Sequence, residues 1–144
     1  MMRRFGQILF AGVASALVAE GFNYAVTNWT SCQGEGLACT MDGIAGSIAT
    51  LAFACLTMLV LGVVMLWWPR PMVLNIALLI VLIPLGLLLA MTLHEIVVLR
   101  DGWYFYWREV QKLLQVVASP ALVVLVQWVI LRAAVVRAQP AARS

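Results

Sequence analysis

Residues 72–93 read MVLNIALLIVLIPLGLLLAMTL, a run without a single charged side chain. A helix needs roughly 20 apolar residues to cross the ~30 Å hydrocarbon core of a bilayer, so this run predicts a transmembrane helix. The whole chain agrees: 65% of its 144 residues are hydrophobic and 10% are charged, against about 45–50% and about 25% in soluble domains. The sequence therefore predicts an integral membrane protein and excludes soluble enzyme folds.

Three further segments have the same length and character, and only the first of them contains a charge, Glu20; they are residues 5–26, 44–66 and 113–131. With their flanks, the predicted helices cover residues 5–28, 44–67, 72–100 and 103–136. We expect residues 1–144 to form one all-α domain, in which the four transmembrane helices make an antiparallel up-and-down bundle.

Basic residues cluster at one end of the predicted helices. They precede the first helix, separate the second from the third and follow the fourth: Arg3, Arg4, Arg70, Arg132, Arg137 and Arg143. The first opposite loop, residues 27–43, has no Lys or Arg. The positive-inside rule then predicts a multi-pass inner (plasma) membrane protein with both termini in the cytoplasm. The net charge of +3 is explained by these helix ends, which meet anionic lipid, and indicates no nucleic-acid partner.

The N-terminus also has some features of a signal peptide, since basic MMRR precedes an apolar stretch and the possible cleavage site Ala14-Ser15-Ala16. The apolar run continues past that site. We therefore expect an uncleaved signal-anchor helix.

Small residues at four-residue spacing predict which helices approach closely. The first helix has Gly12 and Ala16 in one row with Glu20, and an adjacent row of Ser15, Ala19, Asn23 and Thr27; the second has Gly46, Thr50, Ala54, Met58 and Gly62. These rows predict tight packing of the first helix on the second and direct Glu20 and Asn23 inward. The third and fourth helices, rich in Leu, Val and Ile, are expected to face lipid or a partner.

Glu20 is the most informative residue, because a charged side chain inside a membrane helix is costly and is paired, protonated or functional. We expect an intramembrane polar site of Glu20, Asn23 and His94, with Arg100 as a second possible partner of the carboxylate. Three roles remain open: fixing helix register, coupling transport to protons or cations, and contacting another protein's helix. The pair Ala19-Glu20 resembles the Ala-Glu pair in the first helix of small multidrug resistance transporters. The resemblance covers that helix only, and this chain is longer.

Cys32 and Cys39 lie in the first outer loop, on the oxidising side by the predicted topology, and can close a small loop as a disulfide. A thiol relay like that of the quinone-linked disulfide-forming family is the alternative, but this chain has no CxxC motif and no cysteine in the second outer loop. Two thiolates and His94 fall short of the four ligands of a closed zinc site, so no metal site is predicted.

The second outer segment, residues 94–112, contains the turn Asp101-Gly102 followed by an aromatic run. We expect the third and fourth helices to continue beyond the membrane as a hairpin and to form a small ordered extracytoplasmic cap with the first loop. Its predicted partner surface comprises Arg100, Asp101, Trp103, Tyr104, Tyr106, Trp107 and Arg108.

With one histidine and no catalytic grouping, the sequence predicts neither an enzyme nor a cofactor. The favoured function is that of an accessory or regulatory subunit, bound to another membrane protein or to a second copy of itself within membrane lipid. An immunity-type protein that blocks a membrane-active toxin is one version. The alternative is a proton- or cation-coupled small-molecule transporter that uses Glu20.

Overall fold

The computed structural model of the chain describes residues 2–29, 36–98 and 107–138, and these are helical except for residues 68–70. The helices are α1 (Met2–Trp29), α2 (Gly36–Trp67), α3 (Pro71–Val98), α4 (Trp107–Leu113) and α5 (Ser119–Ala138), with a π-helical segment, Leu114–Ala118, between the last two. Leu113 and Ser119 both have α-helical dihedral angles. Residues 107–138 therefore form one continuous helix with a π-helical segment inside it.

Four stretches are long and apolar enough to cross a membrane: Met2–Asn28, Gly43–Trp67, Pro71–Val98 and Glu109–Ala138. The last is called the fourth span below. The prediction of an all-helical, multi-pass membrane protein is confirmed at this level. α2 begins at Gly36, well before the predicted start near residue 44, because Leu37, Ala38 and Met41 favour helix despite the glycines around them.

α2 and the fourth span form the centre of the bundle. They pack against each other, and each also packs against α1 and α3. α1 and α3 therefore occupy opposite sides of this central pair, and α3 has the largest outward-facing share of its surface. The expectation that the fourth helix faces lipid or a partner, as the third does, is wrong for the fourth.

The inward face of the fourth span explains its central position. Buried residues recur at every fourth position: Gln111, Gln115, Ser119, Val123, Gln127, Leu131 and Val135. A π turn holds more residues than an α turn, so the π-helical segment keeps the first members of this row on one face. Ser119 separates this segment from Pro120, which has no backbone N–H. The Ser119 N–H bonds the Leu114 carbonyl, five residues back.

Close packing of α1 on α2 is confirmed. A Cβ at Gly12 would lie 2.8 Å from Met58 Sδ, and one at Gly62 would lie 3.2 Å from Ile8 Cγ2. Gly46 has a different neighbour, since its Cβ would lie 2.9 Å from the backbone oxygen of Gln115 in the fourth span. The small-residue row of α2 therefore packs against two helices, α1 and the fourth span.

The two ends of the bundle differ in polarity. The end with the N-terminus of α1 and the C-terminus of α5 is filled by an apolar cluster of Ile8, Ala11, Leu61, Met65, Leu74, Ala77, Leu131 and Val135. Beside it, Trp67 and Trp68 are exposed, and Pro71 is the first residue of α3, as its fixed φ favours. In the interior of the bundle, polar side chains gather toward the opposite end, whereas the described arginines of the first end are exposed.

Candidate functional site

The candidate site is a partly buried polar cluster, defined here as Glu20, Asn23, Thr27, Ser47 and Gln115. Three of these residues lie on α1, where spacings of three and four place them on one helical face. Ser47 comes from α2 and Gln115 from the π-helical segment. The site therefore lies where three of the four spans meet.

Ser47 of α2 connects two polar side chains of α1, the Glu20 carboxylate and the Asn23 amide. Its hydroxyl donates to Glu20 Oε2 at 3.0 Å and accepts a hydrogen bond from Asn23 Nδ2, also at 3.0 Å. The same Asn23 nitrogen donates to the Gly43 carbonyl at 3.4 Å. One α2 hydroxyl thus fixes the relative positions of two side chains that lie one helical turn apart.

Gln115 connects the fourth span to the cluster. Its Nε2 donates to Thr27 Oγ1 at 2.7 Å, and the Thr27 hydroxyl donates to the Asn23 backbone carbonyl at 2.9 Å. The backbone of Gln115 also lies against Gly46. A side chain at position 46 would push the fourth span away, so this glycine sets the distance at which Gln115 reaches α1.

The cluster has more hydrogen-bond acceptors than donors. Three buried oxygens of the cluster have no donor among the described residues: Glu20 Oε1, Asn23 Oδ1 and Gln115 Oε1. Gln115 is fully buried and Asn23 is 4% exposed. An unpaired buried acceptor costs about 1–3 kcal/mol. The three oxygens therefore favour binding of a hydrogen-bond donor or a cation.

The structure brings two of the three predicted site residues together. Glu20 and Asn23 share Ser47, whereas His94 is exposed on α3, and α3 packs on the central pair. The hydrogen bond to Glu20 thus comes from Ser47 and not from the expected His94. Near His94, Glu95 accepts an ion pair from Lys112 of α4 at 2.6 Å.

Most of the other predicted site residues lie outside the described residues: Cys32, Arg100, Asp101, Trp103, Tyr104 and Tyr106. Cys39, Trp107 and Arg108 belong to described helices, but the structure describes only their backbone. Cys55 is an exposed free thiol on α2.

Ser47 and Gln115 were missed by the sequence interpretation. Ser47 lies next to the row assigned to the helix interface, and Gln115 belongs to a helix expected to face lipid. The available signal was the spacing of Gln111, Gln115 and Ser119, since polar residues at every fourth position of a membrane helix mark its protein-facing side.

The chemistry of the cluster is that of oxygen ligands and hydrogen bonds. Among the described residues no three His, Cys, Asp or Glu side chains gather to hold a metal ion. No protein-family model, no curated protein and no solved structure matches the chain. The function is therefore argued from this geometry.

Proposed function

We propose that the chain is a non-catalytic accessory or regulatory subunit that binds another protein within the membrane through the outward face of α3. The observation that carries the proposal is the exposure of this helix. Its buried residues, Leu74, Ala77, Val81, Leu85, Thr92 and Ile96, occupy one face. The remaining faces are open to lipid or to a partner.

The outward face has the features of a helix-docking surface. Gly86, Ala90 and His94 follow one another at four-residue spacing, and all three are exposed. No atom lies within 4 Å of a Cβ built at Gly86. Small residues let helices approach closely in lipid, where water expulsion supplies no driving force, and a polar side chain at the end of the row can hydrogen-bond across the interface.

The proposal includes an antiparallel bundle in the inner membrane with both termini in the cytoplasm. The antiparallel arrangement of α1 and α2 is supported by the order of their contacts, in which Ile8 lies near Gly62 and Asn23 contacts Ser47. The membrane and the side of the termini are supported by the distribution of arginines in the sequence. The proposal also includes the extracytoplasmic cap, the Cys32–Cys39 disulfide and, as one version, immunity to a membrane-active toxin. Support for these is the sequence pattern.

The test compares two glycines that face outward on the two peripheral helices. A Cβ at Gly86 of α3 or at Gly21 of α1 meets no atom within 4 Å, so a leucine at either position extends from the outward face of its helix. The tagged protein is purified from native membranes in mild detergent. We expect Gly86→Leu to lose a stoichiometric partner that wild type and Gly21→Leu retain. Retention of that partner by Gly86→Leu would contradict docking through α3.

The polar cluster favours a second candidate, a proton- or cation-coupled transporter that uses Glu20. Its support is a membrane carboxylate with an unpaired buried oxygen. Proteoliposomes containing an internal pH dye are exposed to candidate organic cations. Coupled transport predicts a response that Glu20→Gln abolishes and Glu95→Gln keeps, since Glu95 is an exposed carboxylate. A response that survives Glu20→Gln excludes coupling through Glu20.

A further inference from the structure

We propose that the polar cluster binds one dehydrated monovalent metal cation, Na⁺ or K⁺, through Glu20 Oε1, Asn23 Oδ1 and Gln115 Oε1. Within the cluster, these are the buried oxygens that have no donor among the described residues. Their side chains are joined by hydrogen bonds, Glu20 to Asn23 through Ser47 and Gln115 to the Asn23 backbone through Thr27.

The direction of these hydrogen bonds accounts for the surplus of acceptors. The Asn23 and Gln115 amide nitrogens and the Ser47 and Thr27 hydroxyls each donate to a protein oxygen. One water together with a proton on Glu20, or one metal cation coordinated by all three oxygens, can satisfy them. Only the cation makes the stability of the protein depend on which salt is present.

The charge and the ligand type select a monovalent metal ion. The cluster contains one carboxylate, which balances one positive charge. Its ligands are oxygens, which suit hard cations, and it has no thiolate or imidazole for a transition metal. Lys112, the cationic side chain three positions before Gln115, is engaged by Glu95 at 2.6 Å, so it does not supply the missing charge.

The surrounding structure holds the ligands in place. Ser47 positions Glu20 and Asn23, while Gly46 allows the backbone of Gln115 to approach α2. The π-helical segment carries Gln115, and such segments occur frequently at functional sites. Membrane transporters likewise bind Na⁺ where helical regularity is interrupted. The inference is independent of docking through α3, because the cluster faces the interior of the bundle.

The experiment measures thermal unfolding of the purified full chain in NaCl, KCl and N-methyl-D-glucamine chloride at equal ionic strength, so that screening is constant. A specific cation at ~10 times its Kd is expected to raise the midpoint by about 3 °C or more relative to N-methyl-D-glucamine. Binding of radioactive ²²Na⁺, or of ⁸⁶Rb⁺ as a K⁺ substitute, is expected at one ion per chain.

Two variants and two matched controls make the result specific to the site. Glu20→Gln keeps the shape of the side chain and removes its charge, and Gln115→Leu removes a ligand oxygen. Both are expected to lose the cation-dependent shift and the bound radioactive ion. Glu95→Gln combined with Lys112→Gln removes an ion pair outside the cluster without freeing the lysine. Gln127→Leu removes another buried glutamine of the fourth span. Both controls should keep the shift and the bound ion. A wild-type midpoint equal in the three salts without bound ion, or a shift that persists in Glu20→Gln, overturns the proposal.

Discussion

Gly46→Ala is expected to destabilise the protein because it places a methyl group against the backbone of the fourth span. The new Cβ would lie 2.9 Å from the Gln115 carbonyl oxygen and 3.1 Å from its carbonyl carbon. Both are closer than normal contacts, and a backbone inside a packed helix cannot rotate away as a side chain can. Such overpacking costs about 1–3 kcal/mol.

Gly86→Ala provides the matched control for the effect of alanine on helix propensity. Alanine replaces glycine in a helix with a gain of about 0.5–1 kcal/mol, and a Cβ at Gly86 meets nothing within 4 Å. The propensity term is shared by the two variants. The difference between them is therefore the packing term, about 1–3 kcal/mol in favour of Gly86→Ala.

Gly12→Ala gives an intermediate case within the same experiment. Its Cβ would lie 2.8 Å from Met58 Sδ, but a methionine side chain can adopt another rotamer at small cost. We expect stability between those of the other two variants. The assay is equilibrium unfolding in mixed micelles, with all variants at one protein concentration. Equal stability of Gly46→Ala and Gly86→Ala would refute the close contact between α2 and the fourth span.

Three further predictions concern single polar side chains. Ser47→Ala removes the hydroxyl that donates to the half-buried Glu20 carboxylate and should cost about 1–3 kcal/mol. Ser15→Ala loses only a bond to its own helix and should cost less than ~1 kcal/mol; equal losses would contradict the geometry. Gln127→Leu loses a hydrogen bond to a backbone carbonyl of α2 but also removes a buried unpaired oxygen. The free energy of unfolding should therefore change by no more than about 1 kcal/mol, and a loss above ~2 kcal/mol would contradict this balance. The coupling of Glu95 with Lys112 in a double-mutant cycle should be below ~1 kcal/mol and fall with added salt; a larger, salt-insensitive coupling would refute an exposed pair.

The membrane class and the four spans follow directly from the sequence. Length and charge content decide both, since residues 72–93 contain no charge and few structures other than a membrane helix accommodate such a run. The packing of α1 on α2 was also predictable. Glycine and alanine at four-residue spacing report how closely two backbones can approach, which is a local property of each helix.

The arrangement of helices around the bundle was not predictable in the same way. His94 was a reasonable partner for Glu20 by depth in the membrane, but α2 and the fourth span lie between α1 and α3. Neighbours around a bundle depend on all helix pairs at once. Ser47, with no feature beyond a small hydroxyl, therefore could not be singled out.

The inward position of the fourth span was obscured by its composition. Its Leu and Val content resembles that of α3, and Gln115 and Gln127 are too large to fit a small-residue row. Their burial depends on acceptors on other helices, Thr27 and the Ala54 carbonyl. The π-helical segment adds a second effect, because it shifts the helical register in a way that a regular 3.6-residue period does not describe.

Site-specific photo-crosslinking at Ala90 in native membranes tests the proposed docking through α3 most directly. Ala90 lies on the outward face of α3 beside Gly86, and Leu17 on α1 provides a control that is 69% exposed. The account predicts an adduct with one other membrane protein from position 90, absent from position 17 and lost when Gly86→Leu is added. No adduct at position 90, equal adducts at both positions, or an adduct formed only with a second copy of the chain would contradict it.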